Sequence, residues 1–334
     1  MAAERPLRLN GTDRPDRLLS ALTGVVAVYR RLSEVSGRRR PPVSEVDRDL
    51  PLALAAATPE AEGVRSLRLV RPDGGPLPRW RPGAHLDLVL PCGLVRQYSL
   101  CGDPDDRSYY RVAVRRIGAA SARVHALEPG TRVTVRGPRN AFPFVAAENY
   151  LFVAGGIGIT PILPMVRRAA ARGVGWRLVY TGRDRASMPF LDELADLDPG
   201  RVWIRPDTEY GIPASGAELL EGSPESASLY CCGPIPMLTS VRVDAALGGR
   251  RAVFYERFST PPIVGGKPFQ VRLGRSGRTL DIPADRSALD VLRENVPGIA
   301  YSCRQGFCGT CELPSATGEP VRVCVERNAV TLDL

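Results

Sequence analysis

The chain has 334 residues, 44% of them hydrophobic and 24% charged, which describes a globular protein too long for one ordinary core, with about two to three domains expected. Its eight cysteines do not suit a secreted disulfide framework, since four fall in one stretch near the C-terminus, so a reducing compartment, the cytoplasm, is expected. Two distant histidines, His85 and His125, exclude a Rieske-type or other His-rich centre, and the net charge of +9 comes without the aromatic-interleaved basic face of a nucleic-acid binder.

Residues 1–45 form a basic extension, with nine Arg against four acids in residues 1–40. Within it, Leu18, Leu19, Leu22, Val25, Val26, Tyr29 and Leu32 recur at helical spacing and predict an amphipathic helix over residues 14–36. That helix either packs on its own protein or docks on a partner or an anionic membrane surface. The apolar run from Ala21 to Val28 is too short to span a bilayer, so no transmembrane segment is expected.

Residues 46–147 alternate in short runs (VRSLRLV, HLDLVLP, VRQYSL, YYRVAVRR, RVTVRG) broken by Gly and Pro turns, the pattern of an antiparallel β-barrel. Residues 148–259 alternate strand and helix as an α/β domain. A linker at 260–266 leads to residues 267–334, where FQVRLGRSGRTLDIP reads as a hairpin and Ser287 to Asn295 as a capped helix.

Chemistry concentrates at five places. Arg96, Tyr98 and Ser99 end a barrel strand with the aromatic, cationic and hydroxyl groups that a flavin ring and phosphate require. Gly155, Gly156 and Gly158 follow the first α/β strand, with Thr160 as a helix N-cap, and make a phosphate-binding turn. After the next strand, Arg183 and Arg185 stand where an acid often grips a ribose; they either hold a 2′-phosphate or solvate the loop. Cys232 lies where a late strand meets a turn, either beside a nicotinamide or as an inert buried thiol.

The fifth place is the cysteine loop. Cys303, Cys308 and Cys311 are spaced C-x4-C-x2-C, the ligand spacing of a plant-type [2Fe–2S] cluster, and Cys324 is the candidate fourth ligand. A structural zinc site is the competing reading of these thiols. Arg304 and Arg322 nearby would suit an acidic docking patch on a partner.

The motifs RQYSL, YRVAVRR, AGGIGITP, YCCGP, FYERF and CRQGFCGTC, in this order, resemble the phthalate dioxygenase reductase family over residues 50–334. The resemblance implies a flavin barrel, an NAD-binding α/β domain and an α+β, β-grasp ferredoxin domain in one chain. It implies FMN rather than FAD, and NADH before NADPH. By position it carries flavin contacts onto Arg96, Tyr98, Ser99, Ala113, Val114, Arg115 and Ser121, and nicotinamide-nucleotide roles onto Gly155, Gly156, Gly158, Thr160 and Cys232. Glu256 and Phe258 match the segment beside flavin and nicotinamide, which with Cys232 makes them the catalytic candidates. Only twelve residues separate Cys311 from Cys324, fewer than the family's usual spacing.

The activity so implied is an NAD(P)H-dependent reductase that takes a hydride onto FMN and passes single electrons through the cluster to an oxygenase component, Rieske-type or haem. Two other readings stay open: a flavin reductase or diaphorase with an impaired ferredoxin domain, and a nucleotide-sensing scaffold with a structural metal.

Overall fold

The computed structural model describes residue 22, residues 24–29 and residues 49–334 apart from 91–92, 251, 259–262, 302–303 and 307–308. Two compact units divide the chain, Met1–Val46 and Asp47–Leu334. In the first, residues 22 and 24–29 are helical; the rest of the predicted 14–36 helix lies outside the described residues. Among the described residues no helix is long and apolar enough to cross a membrane.

The second unit opens with six antiparallel strands: β1 (Asp49–Ala61), β2 (Val64–Val70), β3 (Ala84–Val89), β4 (Val95–Ser99), β5 (Tyr110–Arg115) and β6 (Arg132–Asn140). Their order is β4-β3-β6-β1-β2-β5, and a bridge between Leu100 and Val112 ties the two edges together. Alternation sorts each strand's two faces. In β5, Val112 and Val114 join Leu52, Leu67, Leu86 and Val135 in the barrel core, while Ala113 packs in the neighbouring core. A short helix, α1 (Ala119–His125), follows β5.

Next come β7 (Asn149–Gly155), α2 (Ile159–Ala171), β8 (Gly175–Gly182), α3 (Leu191–Ala195), β9 (Val202–Pro206), α4 (Asp207–Tyr210), α5 (Gly216–Leu220), β10 (Ser228–Cys232), α6 (Ile235–Leu247) and β11 (Val253–Glu256). The sheet is parallel throughout, in the order β11-β10-β7-β8-β9. Strand order reverses between β7 and β10, so a crevice opens at their carboxyl ends. Helix α2 is amphipathic and buries Ile159, Ile162, Leu163, Val166 and Ala169 against that sheet; each large aliphatic among them contributes about 1.5–3 kcal/mol relative to an exposed side chain.

Barrel and sheet are fastened by polar contacts, the main one partly buried. Arg111 of β5 grips Glu193 of α3 through two bonds of 2.7 and 2.9 Å, and Arg167 of α2 holds the same carboxylate. Glu62 N–H donates to the Ala186 carbonyl at 2.7 Å. Bidentate geometry and partial burial make the Arg111 pair stronger than an exposed ion pair.

The last part holds β12 (Phe269–Leu273), β13 (Thr279–Ile282), α7 (Ala288–Asn295), β14 (Glu312–Pro314), β15 (Pro320–Arg322) and β16 (Val330–Leu332). β12 pairs antiparallel with β13 and parallel with β16, an α+β sheet against which α7 packs Leu289 and Leu292. Ser287 caps α7 in a capping box with Asp290, as the Ser-x-x-Asp pattern requires. β14 and β15 form a separate hairpin.

Candidate flavin, dinucleotide and cluster sites

A cavity of about 510 Å³ opens where barrel and α/β sheet meet. Arg96, Tyr98 and Ser99 line it from β4, Ala113 and Arg115 from β5, and Ser121 from α1. Ile157 and Thr160, from the glycine turn, line its opposite side, and Phe258 its rim. An aromatic ring, hydroxyls and two guanidiniums around one compartment of this size suit a flavin with a single phosphate. Val114 is not part of it: the alternation that turns Ala113 and Arg115 outward turns Val114 into the barrel core, 2% exposed.

Ser121 is engaged by its own loop. Its Oγ accepts from the Ile117 and Gly118 N–H groups at 2.8 and 3.0 Å and donates to the Gly118 carbonyl at 2.9 Å. Arg115 reaches across to the Ser187 carbonyl at 2.5 Å, so it joins the two halves as well as facing the cavity.

The glycine turn sits at the strand-order reversal. Gly158 is a close-approach position, since a Cβ there would stand 2.2 Å from the Cys232 carbonyl oxygen. Gly155 likewise faces Pro234 and Met237, and Gly156 takes a positive φ of 54°. Thr160 is not the N-cap expected: Gly158 holds that position, and the Thr160 hydroxyl donates to the Ile157 carbonyl at 3.0 Å one turn inside. The intervening Gly156–Gly158 stretch winds as a 3-10 turn and moves the helix start upstream.

Cys232 is buried in β10, in register with Ala154 and Glu256, and does not line the cavity. Burial pushes its thiol well up, with the neighbouring Glu256 carboxylate adding to the effect, so the Cys232 thiol is uncharged. Glu256 is buried too; desolvation pushes its carboxyl up to about 8 against a weaker opposing bond from Ser99, whose Oγ lies 3.5 Å from Oε2. Around neutral pH the group therefore carries a proton and can donate it. Phe258, half exposed, borders this cavity and a second one of about 340 Å³.

Past β8, Arg185 is tied to Glu209 by two bonds, 2.5 and 3.0 Å. Asp184 caps its own turn by accepting from Ser187 N–H at 2.8 Å. Arg183 is exposed, its backbone carbonyl accepting from Thr208 N–H at 3.0 Å. Sequence reasoning missed Glu209, an acid after a different strand that chain proximity does not link to Arg185.

In the cysteine loop, Cys303 and Cys308 lie outside the described residues. Cys311 and Cys324 are described, buried, with their sulfurs 3.0 Å apart. The Cys311 thiol is lowered to about 6, because Cys324 hydrogen-bonds its thiolate. The short spacing is closed by the β14–β15 hairpin, which turns through residues 315–319 and returns the chain to Cys311. Cys324 falls in a turn after β15. Gly306 has φ of 85° and Gly309 of 70°, the left-handed region that glycine adopts without strain. Arg304 pairs with Asp290, and Arg322 with Glu312 and the Gly306 carbonyl (2.7 Å), so both brace the loop internally where the sequence suggested a docking patch.

Comparison with known proteins agrees with this layout. Residues 271–327 match a family described as a 2Fe-2S iron-sulfur cluster binding domain. The phthalate dioxygenase reductase of Burkholderia cepacia is 36% identical over 281 residues, covering 81% of this chain and 87% of that one. A solved phthalate dioxygenase reductase, described as modular for electron transfer from pyridine nucleotides to [2Fe-2S], superposes with a TM-score of 0.68 at 34% identity over 86% of this chain and 98% of that one. Full-length CYP116B46 from Tepidiphilus thermophilus gives a TM-score of 0.69 at 34% identity over 92% of this chain, which spans 45% of that protein. With motifs from barrel, dinucleotide turn and cysteine loop in one order and one fold, the chain belongs to the phthalate dioxygenase reductase family.

Proposed function

We propose that this reductase draws electrons from NADH and delivers them, through FMN and a [2Fe–2S] cluster, to an oxygenase of Rieske or haem type. The observation that carries the reading is the shared cavity: the Arg96-Tyr98-Ser99 motif and the Ile157–Thr160 turn line one compartment, so a ring on the barrel and a nicotinamide at the sheet crevice would meet there. When bound, the flavin supplies the conversion of a two-electron hydride into single electrons. The chain's part is to bind, orient and exclude water: Arg96 and Arg115 offer charge to the phosphate, Tyr98 an aromatic face, and Ser99 a hydroxyl backed by the buried Glu256. Cys303, Cys308, Cys311 and Cys324 would hold the cluster, a reading supported by the approach of Cys324 to Cys311.

NADH is favoured over NADPH because Glu209 pairs with Arg185, one of the two cations in the loop after β8 where a 2′-phosphate would sit. The modules are drawn at residues 46–147, 148–259 and 267–334, the basic helical segment before them serves as a docking element for the acceptor, and free thiols at Cys101, Cys231 and Cys232 suit a cytoplasmic setting. Anaerobic titration with NADH followed by low-temperature electron paramagnetic resonance tests the scheme. A reduced [2Fe–2S] signal is expected; a bleached flavin with no cluster signal would leave only a flavin reductase.

A further inference from the structure

Cys303 is flanked by two side chains that reach out of the ferredoxin part. Two residues before it, Tyr301 donates its hydroxyl to Oδ2 of Asp87 on barrel strand β3, at 2.5 Å. Asp87 is nearly inaccessible, and Arg139 of β6 pairs with its other oxygen at 2.7 Å. The Tyr301 ring lies between two guanidiniums, Arg293 of α7 at 3.8 Å from its centroid and Arg139 at 4.8 Å. Arg293 also donates to the phenol oxygen at 3.0 Å. The phenol thus both donates and accepts, and a buried carboxylate depends on it for one of its partners.

Two residues after Cys303, Gln305 exchanges bonds with Arg257, the residue following Glu256. Arg257 Nε donates to Gln305 Oε1 at 3.0 Å, and Gln305 Nε2 returns to the Arg257 carbonyl at 2.6 Å. Both grips close on the 340 Å³ cavity, where Tyr301, Arg304 and Gln305 face Arg96, Gln97 and Phe258. Arg96, Gln97 and Phe258 also line the larger cavity assigned to the flavin, so the loop is pinned along that cavity's edge.

We infer that Tyr301 and Gln305 form a two-point clamp that seats the cluster-bearing loop against the flavin compartment, with Tyr301 the principal positioning residue. Its partners Asp87 and Arg139 come from a barrel face that takes no part in hydride transfer. The inference rests on the relay proposed above, in that the clamp sets the gap an electron must cross. The step itself is one electron from the reduced flavin to one ferric iron of the cluster, and needs no further reactant. A phenol bonded to a buried carboxylate fixes that gap better than apolar contact, because the bond has one direction and one length.

The test compares full-chain holoprotein with Tyr301→Phe, Gln305→Ala and the double variant. Phe keeps the ring between its two arginines and removes only the hydroxyl. In stopped flow with NADH, flavin bleaching should keep its wild-type rate while cluster reduction slows severalfold in Tyr301→Phe and further in the double variant, because the crossing rate of an electron falls steeply as the gap widens. Hydrogen–deuterium exchange provides a second readout that needs no nicotinamide chemistry: residues 84–89 and 297–306 should gain exchange together in Tyr301→Phe, with α6 unchanged. A wild type that NADH fails to bleach refutes the relay, and the exchange result then decides the clamp alone. Cluster reduction at wild-type rate in all three variants, or exchange unchanged at both segments, overturns the clamp.

Discussion

Replacing Glu256 by Gln isolates what burial does to one carboxyl next to Ser99, a residue that lines the cavity. The folded chain pushes this group up to about 8 by desolvation, against an ordinary value of 4.5. A folded-state value above the unfolded one means that the folded protein holds the proton more tightly, so the contribution to stability is fully present below 4.5 and is lost as pH rises through 8. At about 1.36 kcal/mol for each pH unit separating the two values, the limiting loss is about 5 kcal/mol, of which about 2.5 kcal/mol falls between pH 5 and pH 7. Gln retains the size and a donor for Ser99 but has no proton to lose. Urea unfolding of wild type and Glu256→Gln across pH 5–8 reads the difference directly, since every other titrating group is common to both. The variant should unfold within about 1 kcal/mol of wild type at pH 5 and gain about 2.5 kcal/mol on it by pH 7. A difference that stays constant across this range would refute the burial argument.

His85 should act in the opposite sense: burial, then Arg139, lowers it to about 4, so its contribution is present above 6.5 and is lost as pH falls through 4. His85→Gln is expected to lower the midpoint of acid unfolding, and a midpoint that does not move would count against this. Gly158→Ala places a methyl against the Cys232 carbonyl and must displace the turn, at about 1–3 kcal/mol. NADH reduction of the flavin should fall more than about tenfold while dithionite still reduces the cluster; unchanged NADH kinetics would show that the turn tolerates the shift. Glu209→Gln releases Arg185, and the NADPH-to-NADH ratio of kcat/KM should rise about fivefold or more, consistent with a 2′-phosphate gaining a charge-assisted bond. An unmoved ratio would place selectivity elsewhere.

Much of the architecture was legible because it is written in local pattern. The period-2 runs of β2, β3 and β5, the strand-glycine-helix order from Asn149 to Ala171 and the Ser287 cap each depend on neighbours within a few residues. The site motifs were legible as residue types, and one cavity gathers Arg96, Tyr98, Ser99, Ala113, Arg115 and Ser121 together with Thr160 of the glycine turn. Orientation was less accessible. Val114 and Ala113 are adjacent, and only the barrel's closure decides which face is inside. Cys232 sits in a motif of the right kind, yet it is its carbonyl that the Gly158 turn approaches, and its side chain is buried in the core. Tyr301 and Asp87 are 214 residues apart, and nothing in either local sequence announces the pairing.

The β14–β15 hairpin bears on how the iron centre is assembled. Bringing Cys324 back to Cys311 closes a loop of only thirteen residues, and closure entropy rises by about 0.6 kcal/mol for each doubling of loop length. A hairpin of this kind forms in about 1–10 μs, well before β16 must find β12 from the far end of the domain. The last two thiols are thus brought together by one short loop, and an incoming iron–sulfur unit would meet half of its coordination set on a hairpin that β16 braces through the Ser315–Leu332 bridge.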